Sequence, residues 1–270
     1  MYSVIVKTLA ISPYGDGEID LYMPEGISMP PCIVYFHGGG LEGGARADDR
    51  ELYMDIAENG VAVAAADYRL YPEASYPQFV EDAAAAAAFV RQKAGHLGIG
   101  RVYIGGSSAG AYLSMMLCFA ERFLGTYGLR AADFSGWFFD AGQPTTHYNI
   151  LRERGEDTRL IRLDEAAPLY HITRDFTEGA PPVQIVVADG DMPSRPEQNL
   201  LLRAALIHFG YPEENIGFQV MCGYGHCGYG GEVREGRRVV GKMVTDFIQS
   251  GPFGCWTGSL FQKQTGERTP

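Results

Sequence analysis

The segment Gly106-Ser107-Ser108-Ala109-Gly110 follows an apolar run, Val102-Tyr103-Ile104, and precedes an amphipathic helical pattern. A G-x-S-x-G string in that context forms a sharp strand-to-helix turn that projects its central serine, here Ser108, as a nucleophile. Small residues two positions either side prevent a collision at the turn. The amides opening the following helix face the oxygen that turns negative in acyl transfer. A small-residue helix N-cap would use similar residue types, so the serine needs partners before chemistry follows.

The first partner is His37-Gly38-Gly39-Gly40, directly after the apolar run Cys32 to Phe36. Consecutive glycines leave backbone N–H groups open to a substrate oxygen, and such donors combine with the amide after the nucleophile. Gly39, Gly40 and Ala109 are therefore the candidate oxyanion donors, while His37 is read as bracing the loop. The segment contains neither G-K-[ST] nor G-x-G-x-x-G, which argues against a phosphate loop.

A serine hydroxyl needs a general base, and the base needs a carboxylate to fix its tautomer. Of six histidines, only His226 sits in a glycine-rich loop after the last apolar strand, Gly223-Tyr224-Gly225-His226-Cys227-Gly228. His147 and His171 fall in a charged insertion, and His208 near the end of a helix. For the acid, the run Gln184 to Ala188 leads into Asp189-Gly190-Asp191, where α/β sheets collect their sites. Asp191 lies further into the loop and is the candidate, with Asp189 the alternative; Asp164 and Asp175 are outsiders.

These residues require a scaffold of short buried strands alternating with helices, the signature of a largely parallel sheet covered on both faces. Strands are expected at Cys32–Phe36, Val61–Ala66, Val102–Ile104, Trp137–Phe139, Val183–Ala188 and Phe218–Met221. Helices are expected near Asp49–Glu58, Phe79–Lys93, Ala109–Phe123, Pro196–Phe209 and Glu232–Gln249. An antiparallel hairpin, Ser3–Ile11 with Glu18–Tyr22, precedes them across a turn containing Tyr14. Residues 142–180 break the rhythm and read as a small cap with a helical patch near Asp157–Leu163. One α/β domain over 1–270 accommodates all of this, with Cys255-Trp256 and Leu260-Phe261 docking locally in the tail.

Composition excludes several classes. The 22 basic and 33 acidic residues give a net charge of −11, which repels nucleic acid and anionic lipid. With 46% hydrophobic and 20% charged residues, the chain is far from the disordered regime. Glycine, at 35 of 270 residues, is well above the usual roughly 7% and implies many close backbone approaches. Five cysteines without C-x-x-C spacing argue against a disulfide framework or a zinc site, and no H-E-x-x-H is present. The start lacks a signal-peptide pattern and no apolar run nears the ~18 residues of a membrane span, so a cytoplasmic location is expected.

Taken in order, His37-Gly38-Gly39-Gly40, Asp67-Tyr68-Arg69-Leu70-Tyr71-Pro72-Glu73 with Tyr76-Pro77 and Asp82, Gly106 to Gly110, Asp191 and His226 resemble the α/β-hydrolase superfamily. Within it the chain is similar to the hormone-sensitive-lipase-like and carbohydrate-esterase branches, from about Pro31 to Gln249. The elbow reads Gly-Ser-Ser-Ala-Gly where the lipase-like branch commonly has Gly-Asp-Ser-Ala-Gly. That branch's long N-terminal cap is missing, and Asp191-Met192-Pro193 replaces its Asp-Pro-Leu. These departures point toward smaller feruloyl- or acetyl-esterase-like relatives.

The resemblance implies a cofactor-free, metal-free serine hydrolase with Ser108 as nucleophile, His226 as base and Asp191 as acid. It also implies that the Asp67 to Glu73 segment braces the oxyanion loop. The expected partner is a small-molecule ester with a short acyl chain, given a small cap and no apolar stripe evident for interfacial binding. Tyr68, Tyr71, Tyr112 and Tyr224 are pocket candidates for a sugar or aromatic alcohol. An arylformamidase-like amide hydrolase and an inactive binding module are the alternatives.

Overall fold

Alternating side chains on each strand bury two opposite faces of one sheet. On β3 (Cys32–Phe36), Cys32, Val34 and Phe36 enter one core, whereas Ile33 and Tyr35 enter the other. All five positions are buried, as a central strand covered on both sides requires. A computed structural model describes residues 1–12, 15–172 and 180–253.

The sheet has eight strands in the order β1-β2-β4-β3-β5-β6-β7-β8. Its members are β1 (Val4–Ala10), β2 (Glu18–Pro24), β3, β4 (Ala62–Ala66), β5 (Val102–Ser107), β6 (Trp137–Asp140), β7 (Val183–Gly190) and β8 (Ile216–Gly225). β1 and β2 form an antiparallel hairpin, and β2 runs antiparallel to β4. Every later pairing is parallel, so the chain ends of β3, β5, β6, β7 and β8 converge on one edge. This is an α/β-hydrolase fold.

Helices α1 (Arg50–Glu58) and α7 (Val239–Ser250) cover the face carrying Ile33 and Tyr35. α2 (Gln78–Leu97), α3 (Ala109–Phe119) and α6 (Arg195–His208) cover the other face. Ala83 to Ala88 are all buried in α2, because small side chains let the helix lie close against its neighbours.

Several boundaries differ from the sequence expectation. The helix expected to start at Glu232 starts at Val239, because Val233–Arg234 (β9) and Arg237–Arg238 (β10) pair as a hairpin. Glu235 and Gly236 both have positive φ, 51° and 76°, as a two-residue turn of the right twist requires. The helix expected over Ala109–Phe123 breaks at Ala120 (φ −96°, ψ 87°), leaving Glu121–Gly125 as a separate α4.

The helical patch expected near Asp157–Leu163 does not form. There the Asp157 carboxylate takes the Arg159 amide at 2.9 Å, a local bond that competes with helix formation, and the short α5 lies at Tyr148–Glu153 instead. The expected tail contacts of Cys255, Trp256, Leu260 and Phe261, together with Tyr14 and Asp175, lie outside the described residues. Among the described residues, no helix is long and apolar enough to cross a membrane.

Candidate active site

Ser108 stands between β5 and α3 with φ 55° and ψ −113°, a backbone conformation that L side chains rarely adopt. The surroundings hold it there. The Ser108 amide donates to the Asp140 carbonyl at 2.7 Å, and its carbonyl accepts from the Tyr112 amide at 3.0 Å. A Cβ on Gly106 would come within 2.5 Å of the Phe36 carbonyl oxygen, and one on Gly110 would overlap the same carbonyl. The glycines flanking the elbow are thus required by its close seat on the end of β3.

The base and acid come from the ends of β8 and β7. Ser108 Oγ lies 2.7 Å from His226 Nε2, and His226 Nδ1 lies 2.6 Å from Asp191 Oδ1. With Nδ1–H donating to the carboxylate, Nε2 is left to accept from the serine hydroxyl. The Asp191 side chain is completely buried while His226 keeps 26% exposure, so the imidazole alone faces solvent. Asp191 Oδ1 also accepts from the Met192 amide at 2.6 Å, and Oδ2 has no donor among the described residues. Asp189 is used elsewhere: its carboxylate takes the Gly223 amide at 2.7 Å and ties β7 to β8.

The glycine loop after β3 closes over the serine. A Cβ on Gly38 would stand 3.5 Å from Ser108 Cβ, which fixes how near the loop passes. Gly39 and Gly40 have positive φ, 111° and 67°. The Gly39, Gly40 and Ala109 amides find no acceptor among the described residues.

His37 supports this loop as a structural residue. Its ring stacks on Tyr68 with centroids 4.3 Å apart, and Nδ1 donates to the Gly38 carbonyl at 2.7 Å. Burial lowers its pKa, which favours the neutral ring. The Tyr68 hydroxyl donates to the His37 carbonyl at 3.0 Å, and the Tyr71 amide to the Leu41 carbonyl at 2.8 Å. Arg69 forks onto Asp82 at 2.8 and 2.7 Å, anchoring the same segment to α2.

A buried acid beneath the elbow was not among the expected site residues. Asp140 ends β6, and its Oδ2 accepts from Ser107 Oγ at 2.5 Å while Oδ1 accepts from the Tyr229 hydroxyl. The Tyr35 hydroxyl lies 2.7 Å from Ser107 Oγ. Burial pushes the Asp140 carboxyl up to about 6, against the opposing pull of its two donors. The signal was present in Trp137-Phe138-Phe139-Asp140, a charged residue closing an apolar strand at the site edge.

Other expected roles do not come together here. Tyr68, Tyr112 and Tyr224 are buried packing residues, with the Tyr112 hydroxyl on the Ala166 carbonyl and that of Tyr224 on Glu232. Tyr71 stands against Arg152. Asp164 pairs with Arg154. His147 is buried and neutral, accepting from the Asn149 amide at the start of α5. Leu160, Ile161 and Leu163 are 44, 61 and 52% exposed, a short apolar strip that the sequence reading did not expect.

Residues 19–127 match the family model BD-FAE. An acetyl esterase of Salmonella schwarzengrund (strain CVM19633) is 29% identical over 213 residues, covering 70% of this chain and 64% of the relative. The chain therefore spans somewhat less than two thirds of that relative's length. A bacterial heroin esterase superposes with a TM-score of 0.72 at 21% identity, over 92% of this chain and 84% of its own. A propionate-bound thermophilic esterase from Thermogutta terrifontis gives 0.70 at 22% identity, over 91% and 93%. The superpositions agree with the sheet order on the α/β-hydrolase fold, and in sequence the chain is similar to BD-FAE over residues 19–127 and to the acetyl esterase.

Proposed function

We propose that this protein is a serine carboxylesterase acting on short-chain acyl esters through Ser108, His226 and Asp191. The observation that carries the reading is the relay from Ser108 Oγ to His226 Nε2 at 2.7 Å and from His226 Nδ1 to Asp191 Oδ1 at 2.6 Å. In this reading His226 takes the hydroxyl proton as Oγ attacks the ester carbonyl, and the oxyanion rests on the Gly39, Gly40 and Ala109 amides. His226 then protonates the leaving alcohol. Water, activated by the same imidazole, attacks the acyl-serine, and the proton returns to Ser108. Asp191 holds the ring in the tautomer that accepts from serine.

Support for an ester substrate comes from the acetyl esterase similarity, and support for a short acyl group from the propionate held by the Thermogutta terrifontis neighbour. In the same proposal, residues 142–180 act as a small cap on a single domain. Their described part carries the brief helix Tyr148–Glu153 and a 3-10 turn at Pro168–His171.

Hydrolysis of p-nitrophenyl esters from acetate to decanoate, with chelator present, tests the reading. Acetate or butyrate should turn over fastest, and Ser108→Ala should lose about 10³-fold or more. Equal rates for wild type and Ser108→Ala would reject Ser108 as nucleophile, and a much faster N-formyl anilide than phenyl ester would turn the assignment to amide hydrolysis.

A further inference from the structure

Beside the relay lies a cavity of about 270 Å³ whose wall includes Gln143, Tyr148, Ile161, Met192, Arg195 and Gln198. Two of its wall residues link it to the site. Met192 directly follows Asp191, and the Tyr148 hydroxyl presses so closely on Gly40 that a Cβ there would overlap it.

The unusual member is Arg195. It is 4% exposed, and among the described residues it pairs with no carboxylate. Its donors go to neutral acceptors: the Ala141 carbonyl at 2.7 Å, Gln143 Oε1 at 3.1 Å and, weakly, Met192 Sδ at 3.7 Å. A guanidinium carries five N–H donors and stays charged, so these contacts leave donors over and the charge uncompensated. Burying a cation without a counter-charge is costly, and such a cation is ordinarily paired. Asp191 acts on it through space, with no direct ion pair between them. The other cation at this cavity, Arg159, is exposed and already paired with Asp157 at 2.5 Å.

The rest of the wall divides by polarity. Gln143 and Gln198 are buried beside the guanidinium, whereas Leu160, Ile161 and Met192 stand 44, 61 and 38% exposed at the rim. A ligand fitting this wall carries an anionic group for the floor and hydrocarbon for the rim. The volume lies just below the roughly 300–1,000 Å³ of drug-sized sites, which suits a small carboxylate fragment.

Resting on the esterase reading, we propose that this cavity is a substrate subsite for a carboxylate and that Arg195 is its recognition cation. The preferred substrates are then esters bearing a carboxylate a few bonds from the scissile carbonyl, on either the acyl or the alcohol part.

Two ester pairs separate these sources. p-Nitrophenyl hemisuccinate against p-nitrophenyl 4-methylpentanoate places the charge on the acyl side; 4-acetoxybenzoate against 4-isopropylphenyl acetate places it on the alcohol side. For at least one pair, Arg195→Gln should lower the anionic-to-neutral ratio of kcat/KM by about tenfold or more, as loss of a charged hydrogen bond implies. The fall should lie in the KM of the anionic ester, and Arg195→Lys should retain part of the preference. Unchanged ratios in both pairs would overturn the proposal.

Wild type alone gives a second test that needs no stable variant. A more than tenfold preference for the neutral ester in both pairs would also overturn it. Calorimetry of succinate and of 4-hydroxybenzoate on Ser108→Ala protein requires no turnover, so it separates failure of this subsite from failure of the esterase reading. At least one should bind and be weakened by adding Arg195→Gln; binding of neither, or of both equally in the two proteins, contradicts the subsite.

Discussion

Ser107 donates its hydroxyl to the buried Asp140 carboxylate at 2.5 Å, so the residue preceding the strained serine is held by the end of the neighbouring strand. The other carboxylate oxygen takes the Tyr229 hydroxyl, three residues beyond His226. One side chain thereby ties together the turn that carries Ser108 and the loop that carries His226. Asp140→Ala would take the acceptor from the buried Tyr229 hydroxyl and the half-buried Ser107 hydroxyl, at about 1–3 kcal/mol each. Its unfolding free energy should fall by roughly 2–5 kcal/mol in urea, while Asp140→Asn, which keeps one acceptor, should lose less.

Asp140 also sets a pH dependence. Its carboxyl is pushed up to about 6 from an ordinary 3.8, so the folded state holds a proton that the unfolded chain releases. The stability it contributes is full below about pH 4 and lost as pH rises through about 6. A shift of this size is worth on the order of 3 kcal/mol. Buried His37 and His147, with lowered pKa values, act oppositely: their contribution is present above about 6.5 and lost as pH falls. Urea unfolding of wild type and Asp140→Asn from pH 4 to 7 isolates the first effect. The wild-type advantage should shrink with rising pH, and a flat difference would contradict the assignment.

Much of this architecture is legible in the sequence because local and long-range signals agree. The strand ending at Phe36, the glycines after it and the Gly106 to Gly110 elbow each state their own conformation, and parallel pairing then converges them. What stays hidden depends on contacts between distant residues. Nothing near Asp140 announces that Ser107 and Tyr229 point at it, and nothing near Arg195 reveals that no carboxylate among the described residues meets it. One helix start fails for a related reason: the helix expected from Glu232 begins at Val239, because the Glu235-Gly236 turn folds the residues before it into a hairpin.

The oxyanion loop offers a test by steric conflict. Gly40 has φ 67° and lies against the Tyr148 hydroxyl, so Gly40→Ala meets both a strained backbone and an overlap. The loop should shift and kcat on p-nitrophenyl acetate should fall about 10²-fold, in the range seen on losing one oxyanion donor. Adding Tyr148→Phe removes the overlapping oxygen and should restore several-fold of that loss. No restoration in the double variant would show that backbone strain alone accounts for the defect.

The two aspartates at the end of β7 make separable predictions. Asp191→Asn should cost about 10⁴-fold in kcat by favouring the wrong imidazole tautomer. Asp189→Asn loses only a carboxylate contact to the Gly223 amide and should stay within a few-fold of wild type. A larger defect in Asp189→Asn than in Asp191→Asn, measured on the same ester at matched folded fraction, would reverse the assignment.

The central claim is that Ser108 is the activated nucleophile. Labelling with a fluorophosphonate followed by peptide mass spectrometry tests it most directly. The account predicts one adduct per chain, on Ser108, accumulating in step with loss of ester hydrolysis and absent in Ser108→Ala. An adduct on Ser107 or elsewhere, or full labelling of Ser108 with activity intact, would contradict it.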